Sequence, residues 1–598
     1  MNSLPKKMAL ATAVAVLSLG FTSAPAHSEE AAWVKKSNAN AQLLLQLTGK
    51  YAPEQAGSLG VTGFENEITD LSRDLYMERR KEGLALIAEY QKRLKAETNS
   101  KIKQDLEILI ESANNSLKTE ELDRKYFLPF ADVHAMLFGV IKQALDPRAA
   151  KQERASLLTR LNKYAGITPG FRPITELAKE RMFERLKANP KLMGPFKTEV
   201  EHSIVDAPTM IAGMKTMLEK SDLKGWEKPF AALEQQLASY TVLTKTEVLT
   251  RARSDFHLPA EVYANNLHEF GMDIAPQDLI SKALTSFAEI RNQMTITARQ
   301  IAKERNWTES DYRSVMREIK KGQIPKDQVM PIYRNRLTEI EAIIAEQHIV
   351  TLPDRKAVIR LATDAENARQ PAPHMSPPRL IGNTGEYGEF VLTSGMPPDA
   401  SGKVLHFDDF THEAGTWTLT AHEARPGHEL QFAKMIEAGV STARAVFAFN
   451  SVNVEGWALY AEAEMQAFEP IEGQLFALQH RMMRAARAFL DPMVNLGQIK
   501  PEEVKSFLME EVGLSEGMAT QEMERYTFRM PGQATSYFYG YQQLMETRQM
   551  AQVALRDKFD RQAFNDFVLA QGLIPARVLR QAVMQEFVPS IQQKQKKI

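Results

Sequence analysis

Four long stretches of this sequence, Leu71 to Ala96, Lys101 to Lys118, Asp278 to Glu304 and Ile332 to Gln347, repeat apolar residues every three or four positions among lysine, arginine and glutamate. That period gathers the apolar side chains on one side of an α-helix. Several such faces must be buried against one another, so the sequence predicts a mainly α-helical body. Groups such as Thr168-Pro169-Gly170 and Asn306 to Ser310 punctuate the helices. No Gly/Ser-rich or Pro-rich linker divides the chain, and no repeat of solenoid length is present. Residues 27–598 are therefore expected to form one large domain, with a helical N-terminal part over about 27–370 and a second part over about 371–598. The one compositional break runs from about Gln370 to Lys403, where proline and glycine gather around Gly388-Glu389-Phe390-Val391-Leu392-Thr393-Ser394. It predicts a loop, a short strand and a second loop. That strand has two readings: an exposed edge that pairs with an extended peptide, or a hairpin covering the core.

The N-terminus carries Lys6 and Lys7, an apolar run from Met8 to Gly20, and Ala24-Pro25-Ala26. This is the pattern of a secretory signal peptide over residues 1–26, cleaved after Ala26, and it predicts a periplasmic or secreted protein. Nothing reaches the roughly 18 to 20 uninterrupted apolar residues that cross a bilayer, so no membrane insertion is expected. The sequence holds no cysteine, which excludes disulfides, a thioether-linked lipid, a thiol nucleophile and thiolate ligands. Any metal must be held by His, Asp or Glu. With 74 basic and 75 acidic residues there is no overall electrostatic case for nucleic acid or an anionic membrane as partner. Phosphate-binding glycine loops, nucleotide fingerprints and nucleophilic-serine elbows are missing as well.

Chemistry is concentrated in Ala421-His422-Glu423-Ala424-Arg425-Pro426-Gly427-His428-Glu429-Leu430-Gln431 and, about thirty residues later, Glu455-Gly456-Trp457-Ala458-Leu459-Tyr460. Two imidazoles and a carboxylate make a three-ligand zinc set with one position open for water. The spacing of the histidines is unusual for this. Four residues apart, two histidines share a helix face; six apart, they diverge by about 120° on an ideal helix. Pro426 cannot bond the His422 carbonyl and Gly427 tolerates unusual dihedrals, so the helix should break or bulge there and allow His428 to swing back. The competing reading is a plain Pro-Gly break between unrelated histidines. Glu455 and Glu462 are seven apart and can lie on one helix face. Glu455 is favoured as ligand, with Gly456 permitting a close helix contact. Glu462 then either orients a ligand histidine from behind or is a solvated charge. His406, Asp408, Asp409, His412 and Glu413 form a second carboxylate-rich group, readable as a helix cap, a channel rim or another metal site.

His-Glu-x-x-Pro-Gly-His-x-x-Gln, Glu-Gly-Trp-Ala-Leu-Tyr-x-Glu, Arg525-Tyr526, Pro531-Gly532-Gln533-Ala534 and Tyr537 to Gly540 together resemble the bacterial family called domain of unknown function 885. The resemblance implies a helical body similar to zinc metallopeptidases, with a central substrate channel and a small β element before the metal-binding helix. It also implies His422, His428 and Glu455 as ligands and Glu423 as general base. The sequence departs from that pattern at Asn495, where many relatives carry a histidine.

The implied chemistry is hydrolysis of short peptides or small amides by a zinc-activated water, with Glu423 moving the proton. Tyr537 is the expected donor to the oxyanion, with Tyr539 and Tyr541 as alternatives. Arg525 and Arg529 can bind a substrate carboxylate, as in an exopeptidase, or form structural ion pairs. Other readings are a zinc hydrolase of a different amide, ester or lactone, and a non-catalytic helical peptide-binding protein. A catalytic base such as Glu423 has no purpose in the last. Cobalt, manganese or iron would also suit the ligand set.

Overall fold

A computed structural model describes residues 31–149, 151–363, 366–367, 370, 372–393 and 403–594. The signal peptide expected over 1–26 lies outside them. The four amphipathic stretches form α1 (Tyr76–Ala96), α2 (Ser100–Tyr126), α3 (Pro276–Arg305) and α4 (Val329–Glu346). α1 starts later than the apolar period suggests because Asp70 and Asp74 accept the backbone N–H groups of Ser72 and Tyr76 and hold that chain in turns. Asn99 caps α2 by accepting from the N–H groups of Lys101 and Ile102. Asn306, at φ 55°, closes α3 in the left-handed conformation.

A three-stranded sheet follows: β1 (Val358–Leu361), β2 (His374–Ser376) and β3 (Glu389–Leu392). β3 is central, parallel to β1 and antiparallel to β2. Its apolar run Phe390-Val391-Leu392 is buried, and Phe390 meets Tyr333 of α4 edge-on at 5.7 Å. The strand expected near Gly388 to Ser394 therefore exists, but its reading as an exposed peptide-binding edge is corrected. Both of its edges are already paired, and a strand apolar on both faces is driven to the interior.

The second part is built on α5 (Glu413–Glu423), α6 (His428–Glu437), α7 (Ser451–Met465), α8 (Ile471–Asn495), α9 (Glu516–Glu524) and α10 (Ser536–Leu555). α3 lies along α8. Leu279, Ala283, Phe287, Ile290, Met294, Ala298 and Ile301 are buried at spacings of three and four. Phe287 meets Phe489 edge-on at 5.6 Å. Each large side chain in that seam contributes about 1.5–3 kcal/mol by burial. A second cluster joins Ile108 of α2, Ile340 of α4, Trp417, Trp457 and Phe564, which ties the early helices to the later ones. Val133 to Tyr240 bury a cluster of their own. Among the described residues no helix is long and apolar enough to cross a membrane.

In α5 every residue from Ala414 to Glu423 is buried. Two of its threonines are met inside: Thr416 accepts from Arg336 Nε at 3.0 Å, and Thr418 donates to Glu462 at 2.6 Å. α7 and α10 touch backbone to backbone. A Cβ added at Gly456 would lie 2.6 Å from Gly540 Cα, and one added at Gly540 would lie 2.0 Å from the Val452 carbonyl oxygen. The close approach expected beside Glu455 is present, and α10 is the helix that makes it.

Candidate metal centre

The chain breaks after α5 instead of bulging. Ala424 leaves helical geometry at φ −100°, ψ −99°, the Arg425–Pro426 peptide is cis, and α6 begins at His428. Gly427 passes so close to the end of α5 that a Cβ there would sit 1.9 Å from the His422 carbonyl oxygen and 2.4 Å from that of Ala421. Only glycine permits this reversal. Trp457 of α7 donates its indole N–H to the Pro426 carbonyl at 3.0 Å. The buried Arg425 binds Glu429 at 2.8 Å, Glu341 at 2.6 Å and the Arg355 carbonyl at 2.9 Å. Arg355 takes the other Glu429 oxygen at 2.7 Å. Glu341 and Arg355 did not stand out in the sequence, since they reach this turn from separate segments.

The reversal brings the two imidazoles together, with ring centroids 4.8 Å apart and planes at 84°. His422 Nε2 lies 3.5 Å and His428 Nε2 3.3 Å from Glu455 Oε2. One ligand atom from each of the three residues falls within 4.8 Å of the others. Metal–ligand distances of 2.0–2.1 Å in a tetrahedron give ligand–ligand edges of about 3.3–3.4 Å, which the two separations from Glu455 approach. Glu455 Oε2 is buried without a hydrogen-bond partner, and such an orphan is rare unless something else is held there. Burial opposes ionisation of Glu455, but His428 and His422 hold it well below the ordinary carboxylate range. Burial likewise opposes charge on His422, yet Glu455, Glu462 and Glu423 raise it to about 9.

Glu462 sits behind His422. It accepts from His422 Nδ1 at 2.7 Å and from Thr418 at 2.6 Å, and Arg484 approaches to 3.3 Å. Binding Nδ1 turns Nε2 toward Glu455, the usual way a carboxylate orients a ligand imidazole. The two glutamates take opposite sides of the ring: Glu455 faces Nε2 and Glu462 faces Nδ1. Glu423 lies beside the cluster, 3.9 Å from His422 Nε2, with 11% of its side chain exposed.

Of the three tyrosines, Tyr537 is brought to the cluster. Its ring stacks on His422 with centroids 6.2 Å apart and planes at 15°, and its hydroxyl accepts from Arg525 Nη2 at 3.1 Å. Burial raises its pKa, while Arg525 pulls the other way. Tyr539 donates instead to Asp273, and Tyr541 lies against Arg481. Arg529 is not brought to the cluster; it pairs with Glu524 at 2.7 Å near His202.

The group from His406 to Glu413 is organised around a lysine rather than an ion. Lys320 Nζ donates to Asp408 at 3.0 Å and Asp409 at 2.7 Å, His406 pairs with Asp408, and His412 caps α5 by accepting the Gly415 N–H at 3.1 Å. Among the described residues, His422, His428 and Glu455 are the one group of three or more able to share an ion. At the departure point, Asn495 donates to Asp491 at 3.0 Å and to the Tyr526 carbonyl at 2.9 Å, so it closes the end of α8.

Fold and site define a large, mainly helical protein with a buried His-His-Glu cluster at a broken helix. The model of the bacterial family of unknown function DUF885 matches residues 53–583, and the chain belongs to that family. No curated protein matches it. Among solved structures, it resembles a candidate lipoprotein of unknown function from Shewanella oneidensis at TM-score 0.69 and 18% identity, covering 93% of this chain and 100% of that one. A candidate lipoprotein from Colwellia psychrerythraea is similar at TM-score 0.74 and 18% identity, covering 93% and 99%. These likenesses establish the fold.

Proposed function

We propose that this chain is an exported zinc-dependent hydrolase of peptide bonds, whose substrates reach the cluster through a channel in the helical body. The observation that carries the reading is that His422 Nε2 and His428 Nε2 lie 3.5 and 3.3 Å from Glu455 Oε2 in one three-residue cluster, near the ligand–ligand edge of about 3.3–3.4 Å in a tetrahedral zinc site. When bound, zinc makes a water nucleophilic near neutral pH and polarises the scissile carbonyl. Glu423, next in sequence to His422 and 3.9 Å from its Nε2, would accept the proton of a water held there and return it to the leaving nitrogen. Tyr537, stacked on His422, donates its O–H to the oxygen that gains charge, while Arg525 keeps the phenol polarised. Glu462 holds His422 in register throughout.

The test is metal analysis of protein purified without chelators, beside the His422→Ala, His428→Ala double variant. About one zinc per chain, lost in the variant, is expected. Glu423→Gln should keep the zinc and lose roughly 100- to 10,000-fold in turnover on a peptide panel, with an ester and lactone panel run in parallel. Wild-type protein that neither carries nor takes up zinc would end the hydrolase reading.

A further inference from the structure

Arg525 and Arg529 open and close a single π-helical turn, Arg525–Arg529, yet their surroundings differ. Arg529 is 46% exposed and paired with Glu524. Arg525 is 24% exposed, and its Nη2 donates to Tyr537, one phenol ring away from His422. Its acidic neighbour Glu522 is already taken: Arg487 binds both carboxylate oxygens at 2.7 and 2.8 Å, and Tyr526 donates at 2.8 Å. The Arg525–Glu522 contact is the longest of the set, at 3.3 Å. A guanidinium has five N–H donors. One on Nη1 reaches Glu522 and one on Nη2 reaches Tyr537, leaving three without a protein acceptor among the described residues.

The charge balance points the same way. Arg484 offsets Glu462 and Arg487 offsets Glu522. Glu423, Glu455 and Arg525 remain, so a divalent ion on the cluster leaves one net positive charge. Arg484 and Arg487 are 5% and 4% exposed, which makes Arg525 the guanidinium a substrate can touch. A carboxylate is the complementary group, being monovalent and planar and able to take two parallel N–H bonds from Arg.

We propose that Arg525 binds the C-terminal carboxylate of the substrate, so that the site selects short peptides with a free carboxyl end and cleaves from that end. The proposal rests on the hydrolase reading for the cleavage, but the carboxylate site is testable by binding alone. A mixed library of N-acetylated tetrapeptides, synthesised once as acids and once as carboxamides, is dialysed against zinc-loaded Glu423→Gln protein, and retained peptides are counted by mass spectrometry. Acids should be retained over amides by about 10- to 100-fold, the ratio typical of charge-assisted hydrogen bonds. Arg525→Gln in the same background should bring that ratio close to one, and Arg525→Lys should leave an intermediate ratio because it keeps charge without the fork. Equal retention of acids and amides, no retention at all, or a preference that survives Arg525→Gln overturns the assignment; the last would place the carboxylate on the metal. Arg525→Lys carries the comparison if Arg525→Gln does not fold. Wild-type digestion of the acid library is read separately: acids retained but uncut would remove the peptidase reading and leave the carboxylate site standing.

Discussion

The contact between Gly456 and Gly540 makes the geometry of the His-His-Glu cluster sensitive to a single methyl group. In Gly456→Ala the new Cβ would meet Gly540 C at 2.5 Å and Cα at 2.6 Å. Carbon atoms pack at about 3.5–4.0 Å, so α7 and α10 must part by about 1 Å. Overpacking of this kind costs about 1–3 kcal/mol. The larger consequence falls on the neighbouring residue. Glu455 Oε2 would move away from imidazole nitrogens that now lie 3.3 and 3.5 Å from it, well beyond the roughly 0.2 Å within which metal–ligand distances hold. Zinc affinity should fall by at least the 10- to 100-fold typical of disturbing a ligand's support. Competition with a chromophoric chelator measures this. The control is Gly49→Ala, whose Cβ would press 2.2 Å from the Phe64 ring; it should cost comparable stability and leave zinc affinity unchanged. If Gly456→Ala lowers stability but binds zinc within threefold of wild type, the helix contact does not position Glu455 and the argument fails.

Glu462→Gln should weaken zinc binding about 10- to 100-fold while leaving the ligand set intact, because His422 loses its charged orienting partner; unchanged affinity would return Glu462 to an ordinary buried charge. Lys320→Met should destabilise the protein by about 3–5 kcal/mol, since Asp408 and Asp409 lose the ammonium between them, without altering zinc content; zinc loss would revive a metal role for that acidic group. His412 provides the pH test. Burial, reinforced by Lys320, lowers it from 6.5 to about 4. Between these values the unfolded chain binds a proton that the folded chain refuses, so the contribution is intact above pH 6.5 and is lost as pH falls toward 4. The loss is about 3 kcal/mol. His412→Asn keeps a capping side chain and does not titrate, so denaturant unfolding of that variant should show a correspondingly shallower acid dependence; identical slopes would refute it.

The long helices were legible because each buries one face, and a period of three or four is what one-sided burial leaves in a sequence. α5 left no such trace. Thr416-Trp417-Thr418-Leu419-Thr420-Ala421 alternates polar and apolar residues like a strand, yet it is helical and buried on every side, with Thr416 and Thr418 satisfied by Arg336 and Glu462 from other helices. The β3 strand could be read locally, but not its pairing. β1 and β2 contribute only four and three residues, and which strand becomes central is settled by packing against Tyr333.

At the cluster, residue type and the Pro-Gly interruption were readable, while the direction of the chain after the break was not. It depends on Trp457, Glu341 and Arg355, which reach the turn from α7, from α4 and from the segment before β1. The two glutamates share a helix face by spacing, so only the placement of His422 between them tells Nε2 from Nδ1. The two arginines show the same limit from the other side. Four residues apart on an α-helix, Arg525 and Arg529 would point the same way. The π turn that holds them here keeps them on neighbouring faces as well, and they part only through their partners, Tyr537 for one and Glu524 for the other. The partner each arginine finds, unreadable in the sequence, thereby decides which cation lies beside the site.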